Sequence, residues 1–284
     1  MVSMAGASLN GTLTYVSQLR AQLSDCGQRY AQAHGLAHQL SYGGVPAVVF
    51  EGSGSGQHGN FLPGSYRAIL QNPEWRRRLA KPHSQFKSLP RTERRWCELD
   101  SCNSSDALLM NIFCYPGVAT DRQVLHLLGA ETDSPPQFGY KPRVPLVQGR
   151  FDRTEVDMRL GSLLVEAKLT EGDFQRKSKA ALARYRDFAA AFLRRQLPQQ
   201  LNQYLSYQLI RNVLAAHATE CSFCVLADAR RPDLLEAWFT VMQAIRIVEL
   251  RVRCKVLTWQ ELALILPRIL QRFLEEKYAI VPVE

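Results

Sequence analysis

The stretch TEVDMRLGSLLVEAKLTE, residues 154–171, constrains the fold more than any other part of the chain. Glu155, Asp157, Glu166 and Lys168 alternate there with Val156, Met158, Val165 and Ala167, which is the two-residue period of a β-strand. Gly161-Ser162 suits a two-residue hairpin loop, because glycine supplies the positive φ of a type II′ turn. Counting outward from that turn predicts Leu160 opposite Leu163, Met158 opposite Val165, Asp157 opposite Glu166 and Glu155 opposite Lys168. All four charges then share one face. Two carboxylates directly across a sheet repel each other unless a cation lies between them. A hard cation held by oxygen ligands would resolve the conflict.

The remaining sequence can build a core around such a hairpin. With 284 residues, 46% of them hydrophobic, the chain suits one large domain or two small ones. Its 35 Lys and Arg against 26 Asp and Glu give a formal net charge of +9, which favours a polyanionic partner, nucleic acid above all. The seven cysteines are odd in number and scattered, as expected of reduced thiols in a cytoplasmic protein. MVSMAGASLNGTLTY lacks the regions of a signal peptide, and no segment approaches the roughly 18 uninterrupted apolar residues of a membrane span. The expectation is a soluble, intracellular protein with no membrane partner.

Residues 10–33 read as a polar helix, and 41–60 as a short apolar strand followed by a Gly/Ser loop without the Gly-Lys-Ser/Thr ending of a phosphate cradle. The segment PEWRRRLAKPHSQFKSLPRTERRW, 73–96, interleaves Arg76, Arg77, Arg78, Lys81, Lys87, Arg91, Arg94 and Arg95 with Trp75, Phe86 and Trp96. Basic side chains can neutralise phosphates while aromatics pack or stack; the alternative is a solvated face anchored by its aromatics. SSDALLMNIFCYPG, 104–117, has the grammar of a short buried helix, with Ser104 or Ser105 as N-cap, an acid in the first turn and a stop at Pro116-Gly117. SPPQFGYKPRVP, 134–145, reads as a loop. RKSKAALARYRDFAAAFLRR, 176–195, reads as a basic helix, and LPQQLNQYLSYQLIRNVLAAH, 197–217, as a second helix with Leu201, Leu205, Leu209 and Val213 on its apolar face. CSFCVLADA is a buried strand, RPDLLEAWFTVMQAI a helix, and RVRCKVLTWQEL a strand ending in a Thr258–Glu261 capping box that opens the last helix. Cys221 and Cys224 lie three apart in a strand, which points them to opposite faces and suits core thiols better than ligands of a cluster or zinc. The order is that of an α/β protein with a mixed β-sheet flanked by helices, residues 96–284, behind a mainly helical, basic extension, residues 1–95.

Asp157, eight intervening residues, then Glu166-Ala167-Lys168 on a hairpin behind a helix resembles the PD-(D/E)XK nucleases, the restriction-endonuclease-like superfamily. Val156 stands where the name-giving motif has proline. The resemblance implies a Mg²⁺ or Mn²⁺ ion held by Asp157, Glu166 and the backbone carbonyl of Ala167, with Lys168 orienting or helping to deprotonate a water. It also implies a further acid from the preceding helix, which Glu98 or Asp106 could supply. A glutamine and tyrosine on the following helix could be Gln200 with Tyr204 or Gln203 with Tyr207. Glu155 competes with Asp157 for the first acid, but lies too far from Glu166 for a direct cross-strand pair. The implied function is metal-dependent hydrolysis of DNA phosphodiester bonds by a restriction or defence endonuclease, with Arg76, Arg77, Arg78, Lys81, Arg94, Arg95, Arg176, Lys177 and Lys179 holding the nucleic-acid backbone. The alternatives are a repair or recombination exonuclease and a non-catalytic nucleic-acid-binding protein on the same fold. A salt-bridged surface hairpin would leave Asp157 against Glu166 unexplained. Cutting both strands with one site per chain would call for a homodimer, although no interface for one is legible.

Overall fold

The hairpin register follows from its turn. In the computed structural model, which describes residues 14–282 apart from 43–45, 53–55, 84–89 and 132–133, strand β2 (Val156–Leu160) is antiparallel to β3 (Leu163–Ala167). Leu160 faces Leu163 and Met158 faces Val165, as predicted. Gly161 takes a φ of 56°, the left-handed value that the loop requires. Three further strands complete a five-stranded mixed sheet in the order β1-β2-β3-β4-β5: β1 is Gln137–Tyr140, β4 is Ser222–Ala227 and β5 is Cys254–Thr258. β1 and β3 flank β2 antiparallel, whereas β3, β4 and β5 run parallel. Every residue of β3 is buried, as expected of a central strand covered on both faces.

Helices cover the two faces. On one, α1 (Tyr15–Ala33), α4 (Ser105–Phe113) and α7 (Arg268–Tyr278) enclose Met158, Leu160, Leu163, Val165, Cys224 and Leu226. On the other, α5 (Tyr207–Ala218) and α6 (Pro232–Gln243) enclose Leu164, Phe223 and Val225. The split within β4 is the strand alternation made visible, and it sends Cys221 and Cys224 into different cores, both as free thiols. α1 packs against α7 through Tyr30 and Phe273, whose ring centroids are 5.8 Å apart, and His34 reaches Glu276 at 3.2 Å. Thus residues before 95 and residues near the C-terminal end share one apolar core. Two shorter helices follow in the chain, α2 (Pro63–Gln71) and α3 (Pro73–Arg78), and α3 meets β1 through the rings of Trp75 and Phe138, 6.0 Å apart.

Several elements differ from their sequence reading. The stretch read as a loop at 134–145 contains β1, an edge strand that tolerates the glycine and prolines around it because only one side must pair. The basic helix expected over 176–195 is broken into Lys179–Leu182 and Phe188–Ala191. Its middle is drawn sideways, with the Val147 amide donating to the Arg184 carbonyl and the Arg186 amide to the Pro145 carbonyl, at 2.8 and 3.1 Å. In the next segment, 199–204 forms a small hairpin and Leu201 is 93% exposed at a φ of 52°. The helix begins only at Tyr207, so Leu201 and Leu205 are not on its apolar face. Pro198 disfavours helix at the residue before it, and the Leu205 amide closes the hairpin onto the Pro198 carbonyl. The Thr258–Glu261 capping box forms as predicted, but its helix ends at Ala263 and α7 starts separately after Pro267. Lys87 and Phe86 of the basic segment, and residues 10–13 of the first helix, lie outside the described residues. Among the described residues no helix is long and apolar enough to cross a membrane.

Phe223 is fully buried with its ring 5.6 Å from that of Trp238. Phe223→Ala should destabilise the fold by about 3–5 kcal/mol, seen as a lower urea midpoint with an unchanged slope.

Candidate active site

The hairpin strands carry Asp157 and Glu166 to the same end of the sheet, and Lys168 follows β3 by one residue. Continuing the observed register places Asp157 opposite Glu166. Lys168 does not pair with Glu155. Its ammonium instead turns back to Glu166, with Nζ 2.9 Å from Oε1, because that carboxylate is buried beside it and Glu155 is engaged elsewhere. Glu166 is 3% exposed and Lys168 4%, while Asp157 keeps some exposure. The Ala167 amide donates to Asp157 Oδ2 at 2.8 Å, which stitches the two strands through a side chain where the ladder stops.

Helix α5 supplies what holds Glu166 in place. Asn212 Nδ2 donates to Glu166 Oε2 at 2.7 Å, so both oxygens of that carboxylate have partners. Arg211 Nη1 donates to Asn212 Oδ1 at 2.6 Å, fixing the orientation of the amide, and to the Glu155 carbonyl at 3.2 Å. Its Nε reaches Asp152 Oδ2, which also accepts from the Tyr185 hydroxyl. Arg211 and Asn212 were not singled out in the sequence. The signal was present: an Arg-Asn pair interrupts LIRNVLAA in a helix stretch where every residue from Leu209 to Ala216 is buried, and buried polar groups must find partners.

Of the two candidates for the further acid, Asp106 is the more deeply buried. Ser104 caps α4 by accepting from the Ala107 amide, which fixes Asp106 in the first turn, where it is 5% exposed. Its electrostatic influence reaches Asp157. Arg78 Nη2 and Lys81 Nζ both bind Asp106 Oδ2, at 2.8 and 2.7 Å. Glu98 joins the cluster through Lys81, 3.3 Å away. Glu155 lies 3.3 Å from Arg78 and 3.6 Å from Lys81. Arg78 and Lys81, expected on a face that holds a nucleic-acid backbone, are therefore turned inward onto carboxylates. Arg76, Arg77, Arg94, Arg95, Arg176 and Lys177 remain exposed and Lys179 is half-buried. Arg77 pairs with Glu74, Arg95 with Gln39 across 2.8 Å, and Arg176 with Gln200 across 3.1 Å.

Gln203, expected near the site, is exposed on the small hairpin opposite Gln200 and Ser178. Tyr207 opens α5, but its hydroxyl meets Tyr185 at 2.8 Å. Glu171, also missed, accepts from the Leu169 amide at 2.7 Å and from the Ser105 hydroxyl, and borders a groove of about 280 Å³ with Ser105, Glu98 and Trp96.

Charge is uneven across this cluster. Burial pushes the Asp157 carboxyl well above the usual carboxylate range, and Glu166 and Asp106 push it further, against the pull of Lys168 and the Ala167 amide. Burial works against the Lys168 ammonium, but Glu166, Glu171 and Asp157 more than offset it and hold the group above its ordinary value. Lys168 is thus a cation here. Among the described residues no group of three or more His, Cys, Asp or Glu is arranged to hold a metal ion. What the hairpin does present is an all-oxygen pair, Asp157 and Glu166, with Asp157 lacking an ion-pair partner within 4.0 Å among the described residues. Hard cations accept such donors.

A mixed sheet with an acid on β2, an acid and a lysine on and just after β3, and helices on both faces defines a restriction-endonuclease-like protein. A family model described as Restriction Endonuclease associating with ARP matches residues 17–279, and the chain belongs to that family. No curated protein and no solved structure matches the chain.

The raised Asp157 value has a thermodynamic consequence whose sign is fixed. The folded state binds this proton more tightly than the unfolded state, so the stability it contributes is fully present below the ordinary carboxylate range and is lost as pH rises through the raised value. In EDTA, Asp157→Asn should therefore raise the urea midpoint at neutral pH. The gain should vanish as pH falls below about 4, where the wild-type carboxyl is protonated in both states.

Proposed function

We propose that this chain is a metal-dependent deoxyribonuclease of the PD-(D/E)XK type, acting as a restriction or defence endonuclease. The observation that carries the reading is the meeting of Asp157, Glu166 and Lys168 at one end of the hairpin, in a chain whose family is one of restriction endonucleases. Asp157, Glu166 and the Ala167 carbonyl would hold a Mg²⁺ or Mn²⁺ ion, and oxygen donors suit both. When bound, that ion supplies Lewis acidity toward water and phosphate oxygen.

The protein's own residues do the rest. Asn212 and Lys168 hold the two Glu166 oxygens, so the carboxylate keeps one orientation. Glu166, Glu171 and Asp157 favour the charged form of Lys168, and as a cation it would orient a water and meet the charge developing on a phosphate. The exposed Arg76, Arg77, Arg94, Arg95, Arg176 and Lys177 supply backbone contacts to DNA, which give affinity without reading sequence. Cleavage of both strands by one site per chain would require two copies.

Supercoiled plasmid, linear duplex and single-stranded DNA, each with Mg²⁺, Mn²⁺ or EDTA, test this. Plasmid should be nicked or linearised only with metal, and Lys168→Ala should slow cleavage by about 10²–10³-fold. Degradation confined to linear ends would make the protein an exonuclease. Binding of all three substrates with no cleavage would leave a nucleic-acid-binding platform and sink the catalytic reading.

A further inference from the structure

Asp106, Glu155 and Glu98 form a second group of acids beside the Asp157–Glu166 pair, and it is already filled. Arg78 and Lys81 both bind the same oxygen of Asp106, at 2.8 and 2.7 Å, and extend to Glu155 at 3.3 and 3.6 Å. Lys81 also meets Glu98 at 3.3 Å. These are built positions. The backbone around Lys81 is fastened by the Glu98 amide, which donates to the Lys81 carbonyl at 2.9 Å, and by a bridge between Pro82 and Cys97. The Arg78 guanidinium lies in a slot left by Gly139 on β1: a Cβ there would fall 2.2 Å from Arg78 Nη1 and 3.1 Å from Glu155 Oε2. Gly139 sits where the β1–β2 register runs past Asp157, at a φ of 63° that L side chains rarely adopt.

The two groups meet through Arg78 and Lys81, which bind Asp106 and reach Glu155, two residues before Asp157, and through Gly139, which lies against Arg78 and opposite Asp157. In two-metal nucleases the ions lie about 3.5–4 Å apart and clamp opposite sides of the reacting phosphate. A buried acid at this position would be a natural ligand of a second ion, but here one of the Asp106 oxygens is taken twice over by nitrogen. We infer that Arg78 and Lys81 stand in for a second divalent ion: the chain takes one ion, at Asp157 and Glu166, and fills the neighbouring cation position with its own side chains. The inference rests on the metal-dependent reading above. It gives the segment before the hairpin a share in the active site, because both cations come from α3 and the turn that follows it. Fixed positive charge beside the ion would also meet a phosphate without being exchanged during turnover.

The test counts ions, not products. The full chain is titrated with Mn²⁺ and the free ion is followed by electron paramagnetic resonance. The wild type should bind one ion per chain, and Asp157→Asn should lose it. A folded Arg78→Met/Lys81→Met variant should bind two, the second revealed by Mn–Mn spin coupling. Two ions on the wild type, or one on the folded double variant, would overturn the substitution by Arg78 and Lys81 while leaving the nuclease reading intact. No ion on the wild type would remove the metal-dependent reading and this inference with it. Lys81→Met alone, which leaves Arg78 on Asp106, is the second variant: if the double variant does not fold, a single ion on folded Lys81→Met overturns the substitution.

Discussion

The fold is organised around one unfavourable contact, the approach of Asp157 to Glu166 across the β2–β3 hairpin. Gly161 sets the register, and the register leaves no freedom to separate the two carboxylates without turning Met158, Leu160, Leu163 and Val165 out of the core. Removing a charged group from water costs several kcal/mol even after relaxation, so each such group must find an answer nearby. Glu166 receives Lys168 and Asn212; Asp157 receives one backbone amide. The asymmetry matters. One acid is satisfied by the protein and the other is left as the place where a proton or a cation completes the site.

That incompleteness is supported by rigid surroundings. β3 is central in the sheet and wholly buried, α5 presses Arg211 and Asn212 toward it, and Trp259 donates its indole N–H to the Lys168 carbonyl at 2.9 Å. Side chains with satisfied hydrogen bonds on regular elements hold a site to tighter geometry than loops can. A carboxylate whose protonation is favoured by its surroundings lowers stability at neutral pH, a recurrent feature of sites kept for activity. The two hydrophobic layers are what allow the chain to tolerate it.

What the sequence showed depended on how local the cause was. The hairpin register, the buried strand β4, the capped helix α4 and the Thr258–Glu261 capping box are set by residues within a few positions of one another, and each could be read directly. The segment 176–206 could not be. Its alanine content and four-residue leucine spacing favour helix, yet backbone bonds to residues 145–147 and a hairpin around Leu201 prevail over that weak preference. β1 was hidden for a related reason, since an edge strand with Gly139 at its centre lacks the apolar alternation of a paired one. The site divided along the same line. Asp157, Glu166 and Lys168 were legible from spacing, but Asn212 was not, because nothing local says that a polar residue in a buried helix faces a carboxylate forty-six positions earlier.

Charge makes the same distinction on a larger scale. The chain carries a net charge of +9, yet its candidate site is rich in acids: Glu98, Asp106, Glu155, Asp157, Glu166 and Glu171, with Arg78, Lys81 and Lys168 among them. Burial raises the Glu98 carboxyl as well as that of Asp157, so the charged form of both acids is disfavoured where they stand. A polyanion drawn in by the exposed arginines would still meet carboxylate charge at the point where chemistry must occur. Attraction and reaction therefore have different requirements, and the basic surface cannot meet the second. On the proposed reading, Asp157 and Glu166 would hold a divalent cation whose positive charge offsets their own at the point where a phosphate must approach. If the proposed metal-dependent reading holds, the acids that make the hairpin costly to fold would be the same groups that make activity conditional on an ion.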